Sequence, residues 1–493
     1  MGGGMKQLRP HQEQAIAMLR RSLGQGHRRP MVQAPTGFGK TVLASHIVAG
    51  ARAKGNRVIF VVPALSLIDQ TVAAFHADGI TEVGVLQGIH EMTDRSQPIQ
   101  VASIQTLMRR PIPDADIVVV DEAHRWFKFM GEWMARWDRI PFVGLSATPW
   151  TSGLGKFYDD LIIAATTQDL IDAGYLSKFR VFAPSKPDLT GVRTVAGDYH
   201  EGDLSEAMNK PPLVADLVRE WKQRAEGRPT LVFGVDRAHA KAIQQDFLNA
   251  GIACGYCDAY TERADRNVLG RAFNSGELPV IANVGTLTTG IDWDVRCIVL
   301  ARPTKSEILF TQIIGRGLRT ASGKDDCLIL DHSDTHQRLG FVTDIHHTKL
   351  SNGAEPKAKK QDEPLPKECP QCKFLRPPRV SICPACGFKP VPVSGVEHID
   401  GELQELTATK ERQAQDRANR KTPKPDKHTF LGELNFIAWE RNYSSGWVAN
   451  QYRNKFGVWP NAVRHDERYL PSMETRQYVK HQMIRFAKRR TAA

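Results

Sequence analysis

The chain has 493 residues, and 66 lysines and arginines against 54 acidic residues give a formal net charge of +12. With 41% hydrophobic and 24% charged residues the composition is that of a globular protein, which excludes collagen-like and disordered chains; the length allows roughly two to four domains. The longest apolar run, residues 58–68, is far short of the ~20 residues that cross a bilayer, and no apolar signal core follows the N-terminus, so export and membrane insertion are not expected.

From residue 30 to about 330, short β-rich runs alternate with helical stretches. Strands are predicted at 31–33, 58–62, 100–102, 117–120 and 142–145, then at 230–233, 280–282, 297–300 and 327–330. This alternation argues for an α/β fold of two parallel-sheet domains, 1–165 and 166–350, with the link inside 166–187. A cleft is expected at the carboxyl ends of the strands, where open α/β sheets bind ligands. Beyond residue 350 the texture changes to a polar stretch, a cysteine-rich segment at 365–392, a charged linker at 393–427 and a basic, aromatic-rich helical domain at 428–493. Residues 351–493 carry +10 of the net charge and the remainder only +2. That imbalance fits an electrostatic footprint for nucleic-acid phosphates, or a solvated tail.

Gly37-Phe38-Gly39-Lys40-Thr41 follows the first predicted strand and opens a helical run at 42–53, which is the context of a P-loop. Glycines let backbone amides curl around phosphate, Lys40 reaches the β/γ-phosphates of ATP, and the Thr41 hydroxyl ligates Mg²⁺. Asp121-Glu122-Ala123-His124 ends the strand at 117–120. A carboxylate there, Asp121, can hold Mg²⁺, while its neighbour Glu122 activates the attacking water.

These motifs resemble a superfamily 2 helicase of the DEAH-box type over residues 8 to about 335. The resemblance implies two tandem RecA-like domains and the roles that follow. Leu8-Arg9-Pro10-His11-Gln12 looks like the adenine-reading motif, giving Arg9 and Gln12 to ATP, with His11 where an aromatic is common. Val62-Pro63-Ala64 and Ser103-Ile104-Gln105-Thr106 resemble loops that grip nucleic acid, giving Pro63, Gln105 and Thr106 to DNA. Ser146-Ala147-Thr148-Pro149 resembles the motif that couples hydrolysis to strand movement, through Ser146 and Thr148. In the second domain, the run from Asn283 to Asp292 is similar to the family's fifth motif, with Thr289 on DNA and Gly290 and Asp292 on the nucleotide. Gln312, Arg316 and Arg319 belong to a sixth-motif run and would face the γ-phosphate from across the cleft. The runs 283–292, 301–306 and 326–332 are similar to phage and prophage helicases related to RadD and XPB-like DNA helicases.

Cys369-Pro370-Gln371-Cys372 and Cys383-Pro384-Ala385-Cys386 form two C-x-x-C turns, the pattern of a closed, structural Cys₄ zinc ribbon. Lys373, Arg376 and Arg379 between them would add positive charge. Cys254 and Cys257 share the spacing but lack a second pair, and read as core. Most tail aromatics read as helix core; Trp126, Met130, Trp133 and Trp137 read as packing behind the acidic pair.

The expected function is a DNA-stimulated ATPase, a helicase or translocase in replication, recombination or repair, using ATP, Mg²⁺ and structural Zn²⁺. Its partner is DNA, single-stranded, duplex or branched, together with a phage or host replication or repair protein. No membrane and no oligomer is required, and the expected place is the cytoplasm of a bacterium or phage-infected cell. The competing readings are a restriction or defence motor subunit, an ATP-switched DNA-structure binding protein, and an RNA helicase.

Overall fold

The computed structural model of the chain describes residues 4–87, 90–183, 187–195, 197–208, 211–288, 291–353, 365–378, 380–389, 427–460, 467–472, 474–479 and 482–483. The chain divides into two compact units, Met1–Pro392 and Val393–Ala493. Among the described residues no helix is long and apolar enough to cross a membrane.

The first unit holds two parallel sheets. The first is built from β1 (Pro30–Gln33), β2 (Val58–Val62), β3 (Val83–Leu86), β4 (Ile99–Ser103), β5 (Ile117–Asp121), β6 (Phe142–Ser146) and β7 (Asp160–Ile163), in the order β3-β4-β2-β5-β6-β1-β7. β2 is buried at every residue, as a strand covered by helices on both faces must be. The second comprises β8 (Lys178–Phe182), then, after a short hairpin of β9 (Thr194–Val195) and β10 (Asp198–Tyr199), β11 (Thr230–Phe233), β12 (Cys254–Cys257), β13 (Val280–Asn283), β14 (Cys297–Leu300) and β15 (Asp326–Asp331). Its order is β12-β13-β11-β14-β15-β8, again parallel throughout. Trp133 and Met130 are buried behind β5, with Trp126 and Trp137 packed against them, and Cys254 and Cys257 are buried, unpaired thiols of β12.

The structure departs from the sequence reading at the joints. The stretch read as a link contains the helix Thr167–Asp172 and then β8, an edge strand of the second sheet. Nor does the folded part stop at residue 350. Leu350 packs on the first sheet's core, and the Gly155 amide donates to the Ser351 carbonyl at 2.9 Å. The cysteine segment is likewise docked rather than appended. Its strands β16 (Lys367–Glu368) and β17 (Leu375–Arg376) pair antiparallel, and Phe374 bridges to Phe182 of β8 with ring centroids 5.4 Å apart. The ribbon therefore covers a sheet edge that would otherwise expose unpaired backbone groups.

In the second unit, the helices Lys427–Glu440 and Ser445–Phe456 pack Phe430, Leu434, Ile437, Val448 and Tyr452 with Val479 into a small core. Ser444 caps the second helix by accepting from the Trp447 amide at 3.3 Å, and Gly457 ends it in the left-handed conformation. The rest of the expected linker and the terminal Lys488-Arg489-Arg490 lie outside the described residues.

Candidate active site and metal centre

Strand register gathers three turns of the first sheet. Gln33 of β1 pairs with Ser146 of β6, and Leu145 of β6 with Asp121 of β5, so the turns after β1, β5 and β6 share the carboxyl end of the sheet. In the first of these turns Gly37 and Gly39 have φ of 86° and 85°, a region open to glycine without strain. A Cβ on Gly37 would stand 2.3 Å from Leu176, and one on Gly39 2.3 Å from the Gln12 amide. Gly39 is also the N-cap of the helix Lys40–Arg52, so the turn delivers a helix N-terminus to the cleft.

Lys40 Nζ lies 2.8 Å from the Asp121 carboxylate and donates a hydrogen bond to Glu122. Burial acts to lower the Lys40 pKa, but the two carboxylates outweigh it and raise the pKa above its ordinary value. Burial likewise opposes ionisation of Glu122, yet the charge of Lys40 holds its pKa below the usual value. At Asp121 burial prevails over Lys40 and the pKa rises. Glu122 has φ of 47°, uncommon for a residue with a side chain, and its Oε2 is buried without a hydrogen bond, 3.3 Å from His124 Nδ1.

His124 links the two sheets. Burial, opposed by Glu122 and aided by Lys40, lowers its pKa to about 4, so the ring is neutral near pH 7. Its Nε2 lies 3.2 Å from the Gln312 amide nitrogen, which can only donate, so the ring proton sits on Nδ1 and is donated to Ser146 Oγ at 2.9 Å. Ser146 Oγ also accepts from the Thr148 amide at 3.0 Å, tying the third turn to the same histidine. In the sequence His124 reads only as a member of the acidic run, because its partners come from distant strands and from the other sheet.

Arg316 and Gln312 lie on the helix Glu307–Gly317. Its Gly315 meets the P-loop so closely that a Cβ would stand 2.6 Å from Thr36. Arg316 is buried, and its Nε has no hydrogen-bond partner among the described residues. Burial first, then the charge of Arg319, lowers its pKa to about 10, which still leaves it protonated at neutral pH. Arg316 donates to the Ile291 carbonyl at 3.3 Å, and Arg319 donates to the same carbonyl and to Asp292, each at 2.6 Å. Asp292, assigned to the nucleotide by resemblance, thus holds an arginine in this structure. Thr289 and Gly290 lie outside the described residues.

The segment read by resemblance as the adenine motif packs against the P-loop. Gln12 is buried and donates to the Phe38 and Gly39 carbonyls at 2.9 and 3.2 Å, while its Oε1 accepts from the Arg9 amide at 2.8 Å. Thr41 is exposed at the start of its helix. The two loops expected on nucleic acid are neighbours after β2 and β4, joined by a 3.1 Å hydrogen bond from Gln105 to the Pro63 carbonyl. Pro63 itself is buried, so the exposed part of its loop is Leu65 and Ser66; Gln105 is exposed and Thr106 half-buried.

The four ribbon cysteines place their sulfurs within 4.8 Å of one another, with Cys369–Cys386 at 3.7 Å and Cys372–Cys383 at 3.6 Å. A tetrahedral zinc with ~2.3 Å bonds requires sulfur separations of roughly 3.8 Å, so the cluster fits that ion. The two turns are alike: the Lys373 amide donates to the Cys369 carbonyl and Gly387 to Cys383, and Lys373 and Gly387 are both left-handed. The expected ribbon charge is largely used internally. Lys373 pairs with Glu368 at 2.8 Å, and buried Arg376 donates to the Ser381 carbonyl at 2.8 Å. Arg379 lies outside the described residues.

Residues 5–151 match the family model of the type III restriction enzyme res subunit, and residues 209–321 that of the helicase conserved C-terminal domain. A 51.5 kDa protein of a Lactococcus phage is 28% identical over 72% of this chain and 77% of its own length. The ATP-dependent helicase IRC3 of Saccharomyces cerevisiae is 30% identical over 66% of this chain, which spans 51% of that relative. The ATP-dependent DNA helicase uvsW of phage T4 is 23% identical over 67% and 70% of the two chains. In fold, a fragment assigned to an HsdR subunit of a type I restriction enzyme from Vibrio vulnificus superposes with a TM-score of 0.53 at 22% identity, over 72% of this chain and 67% of that one. With its P-loop and acid pair on one RecA-like sheet and its buried arginine on the next, in the order of the two family models, the chain carries the domain pair of a superfamily 2 helicase.

Proposed function

We propose that the chain is a DNA-stimulated ATPase that moves on or remodels DNA in replication, recombination or repair. The observation that carries this reading is the buried Arg316, with a free Nε donor, on a helix whose Gly315 touches the P-loop. A protonated guanidinium with one donor left unmet is costly to bury and fits an anionic occupant of the cleft. The P-loop would bind the phosphates of ATP, and Lys40 would exchange its carboxylates for the β/γ-phosphate oxygens. Thr41 and Asp121 would hold Mg²⁺, which neutralises phosphate charge when bound. Glu122 would take the proton of the attacking water, and Arg316 and Arg319 would face the charge that develops on the transferred group.

Support for DNA comes from the restriction-type family model and from a relative named as a DNA helicase. The placement among phage helicases draws on the phage T4 relative named as a DNA helicase. With matched oligonucleotides, DNA should raise ATP turnover at least tenfold more than RNA does. Equal or greater stimulation by RNA overturns the DNA reading. The match to the restriction-subunit family model favours a second reading, a motor working beside a separate nuclease, and co-purification of such a nuclease would establish it.

The second unit supplies DNA affinity in this proposal. Residues 393–493 carry +6 of the +12 net charge in about a fifth of the chain. Exposed Trp439 and Trp459 each lie under an arginine, Arg468 at 5.2 Å and Arg453 at 4.5 Å, and offer faces for base stacking. The truncation that tests this ends at Pro392, because one at residue 350 would cut the strap on Gly155 and the ribbon on β8. The shortened protein should keep basal ATPase and bind duplex DNA with a shallower salt dependence, each lost phosphate contact lowering the log–log slope by ~0.9. An unchanged slope would make the second unit a protein-binding element instead.

A further inference from the structure

The adenine motif brings no aromatic side chain larger than a histidine to the base end of the nucleotide pocket. His11 is buried with its Nε2 3.0 Å from the Phe38 carbonyl, and is committed to supporting the loop. An aromatic ring reaches the same place from far along the chain. Tyr175, on the segment that leads into β8, is half-buried, and the Arg9 guanidinium lies over its ring 4.7 Å from the centroid. The His11 ring meets the same tyrosine edge-on at 4.8 Å. Arg9 is exposed, and no carboxylate pairs with it among the described residues.

The residues after Tyr175 are held on both sides of the cleft. Leu176 lies against Gly37 of the P-loop and bridges to Arg319. The Ser177 amide donates to the Leu318 carbonyl at 2.7 Å, and its hydroxyl to the Arg319 carbonyl at 3.2 Å. Tyr175 is thus presented by a backbone anchored to both sheets.

We propose that Tyr175 is a positioning residue for nucleotide recognition: it holds the Arg9 guanidinium flat, so that the guanidinium stacks between the tyrosine ring and the base of bound ATP. The proposal rests on the reading of this cleft as an ATPase site. A guanidinium is planar and weakly hydrated, stacks on aromatic faces, and is rotamer-rich when left free. Tyr175 removes that freedom before the base arrives, which strengthens binding without adding a contact to the phosphates.

Steady-state ATPase assays of the full chain test this, with inorganic triphosphate as a competitor that carries no base. Tyr175→Leu should raise KM for ATP roughly 3- to 20-fold, the range expected from losing one cation–π contact, with kcat at saturating ATP within about twofold. Tyr175→Phe should restore the wild-type KM, since the ring and not the hydroxyl does the stacking. Arg9→Lys, which keeps charge but loses the planar fork, should reproduce the leucine phenotype, and combining it with Tyr175→Leu should add little. Inhibition by triphosphate should be unchanged in all of them. An unaltered KM in Arg9→Lys or Tyr175→Leu overturns the proposal. So does a parallel weakening of triphosphate inhibition, which would mean that the change had only disturbed the P-loop through Leu176. Absence of ATP hydrolysis by the wild-type chain would instead overturn the ATPase reading itself.

Discussion

Glu122→Gln should lower ATP turnover by about 10²–10⁴-fold while leaving ATP and DNA binding close to wild type. The substitution is nearly isosteric, so the left-handed backbone at this residue and the neighbouring strand ends stay as they are. What changes is chemistry at one oxygen. Glu122 Oε2 is the buried atom without a hydrogen bond, and in the carboxylate form it can accept the proton of an attacking water. An amide cannot. While Lys40 stands beside it, Glu122 is held ionised against its burial, with a pKa below the ordinary value, and the base form is lost only on acidification. Asp121 is untouched, so the expected Mg²⁺ ligand survives. Lys40→Ala should behave differently: it removes the charge meant for the phosphates and leaves two half-buried carboxylates without their lysine, so nucleotide binding itself should weaken. Single-turnover hydrolysis alongside equilibrium nucleotide binding separates the two variants. Wild-type turnover in Glu122→Gln with DNA present would remove this residue from the role of base.

The interior of the first sheet was legible because buried parallel strands read as unbroken apolar runs, as at Val58–Val62 and Ile117–Asp121. The edges were not. Lys178–Phe182 alternates exposed charged residues with apolar ones, and Val83–Leu86 carries Gly84, whose missing Cβ admits the Asp94 carbonyl. Cys254–Cys257 lay hidden for another reason, since its spacing drew the comparison with a metal knuckle while the fold makes it an edge strand. Within the site, residues that share a turn could be read locally, Lys40 with Gly39 or Glu122 with Asp121. Pairings across the fold could not. Nothing near His124 announces Gln312, and nothing near Arg9 announces Tyr175, because each pair forms only once the sheets stand side by side. Charge counting misled in the ribbon for the same reason: Lys373 and Arg376 contribute to the formal sum, yet their partners are internal.

Arg316→Ala should reduce DNA-stimulated ATPase by about 10³-fold or more, the scale of an arginine finger in related nucleotidases, with DNA affinity within about twofold. Arg316 and Arg319 converge on one acceptor, the Ile291 carbonyl, and Arg319 is further held by exposed Asp292. Ile291 and Asp292 follow Thr289, which the family resemblance places on the nucleic-acid strand. A strand that engages this loop would move the carbonyl both arginines share, and so would couple DNA binding to their release toward the phosphates. Arg316 should matter more than Arg319, because its Nε is already desolvated without a partner, whereas Arg319 must first leave an ion pair. Arg316→Lys should not rescue, since an ammonium lacks the planar fork that meets phosphate oxygens with two donors. Turnover per bound complex, measured at saturating DNA, is the deciding quantity. If it is normal in Arg316→Ala while DNA binding is lost, the arginine belongs to the DNA path, and the charge on the transferred group must be met by Arg319 and Lys40 alone.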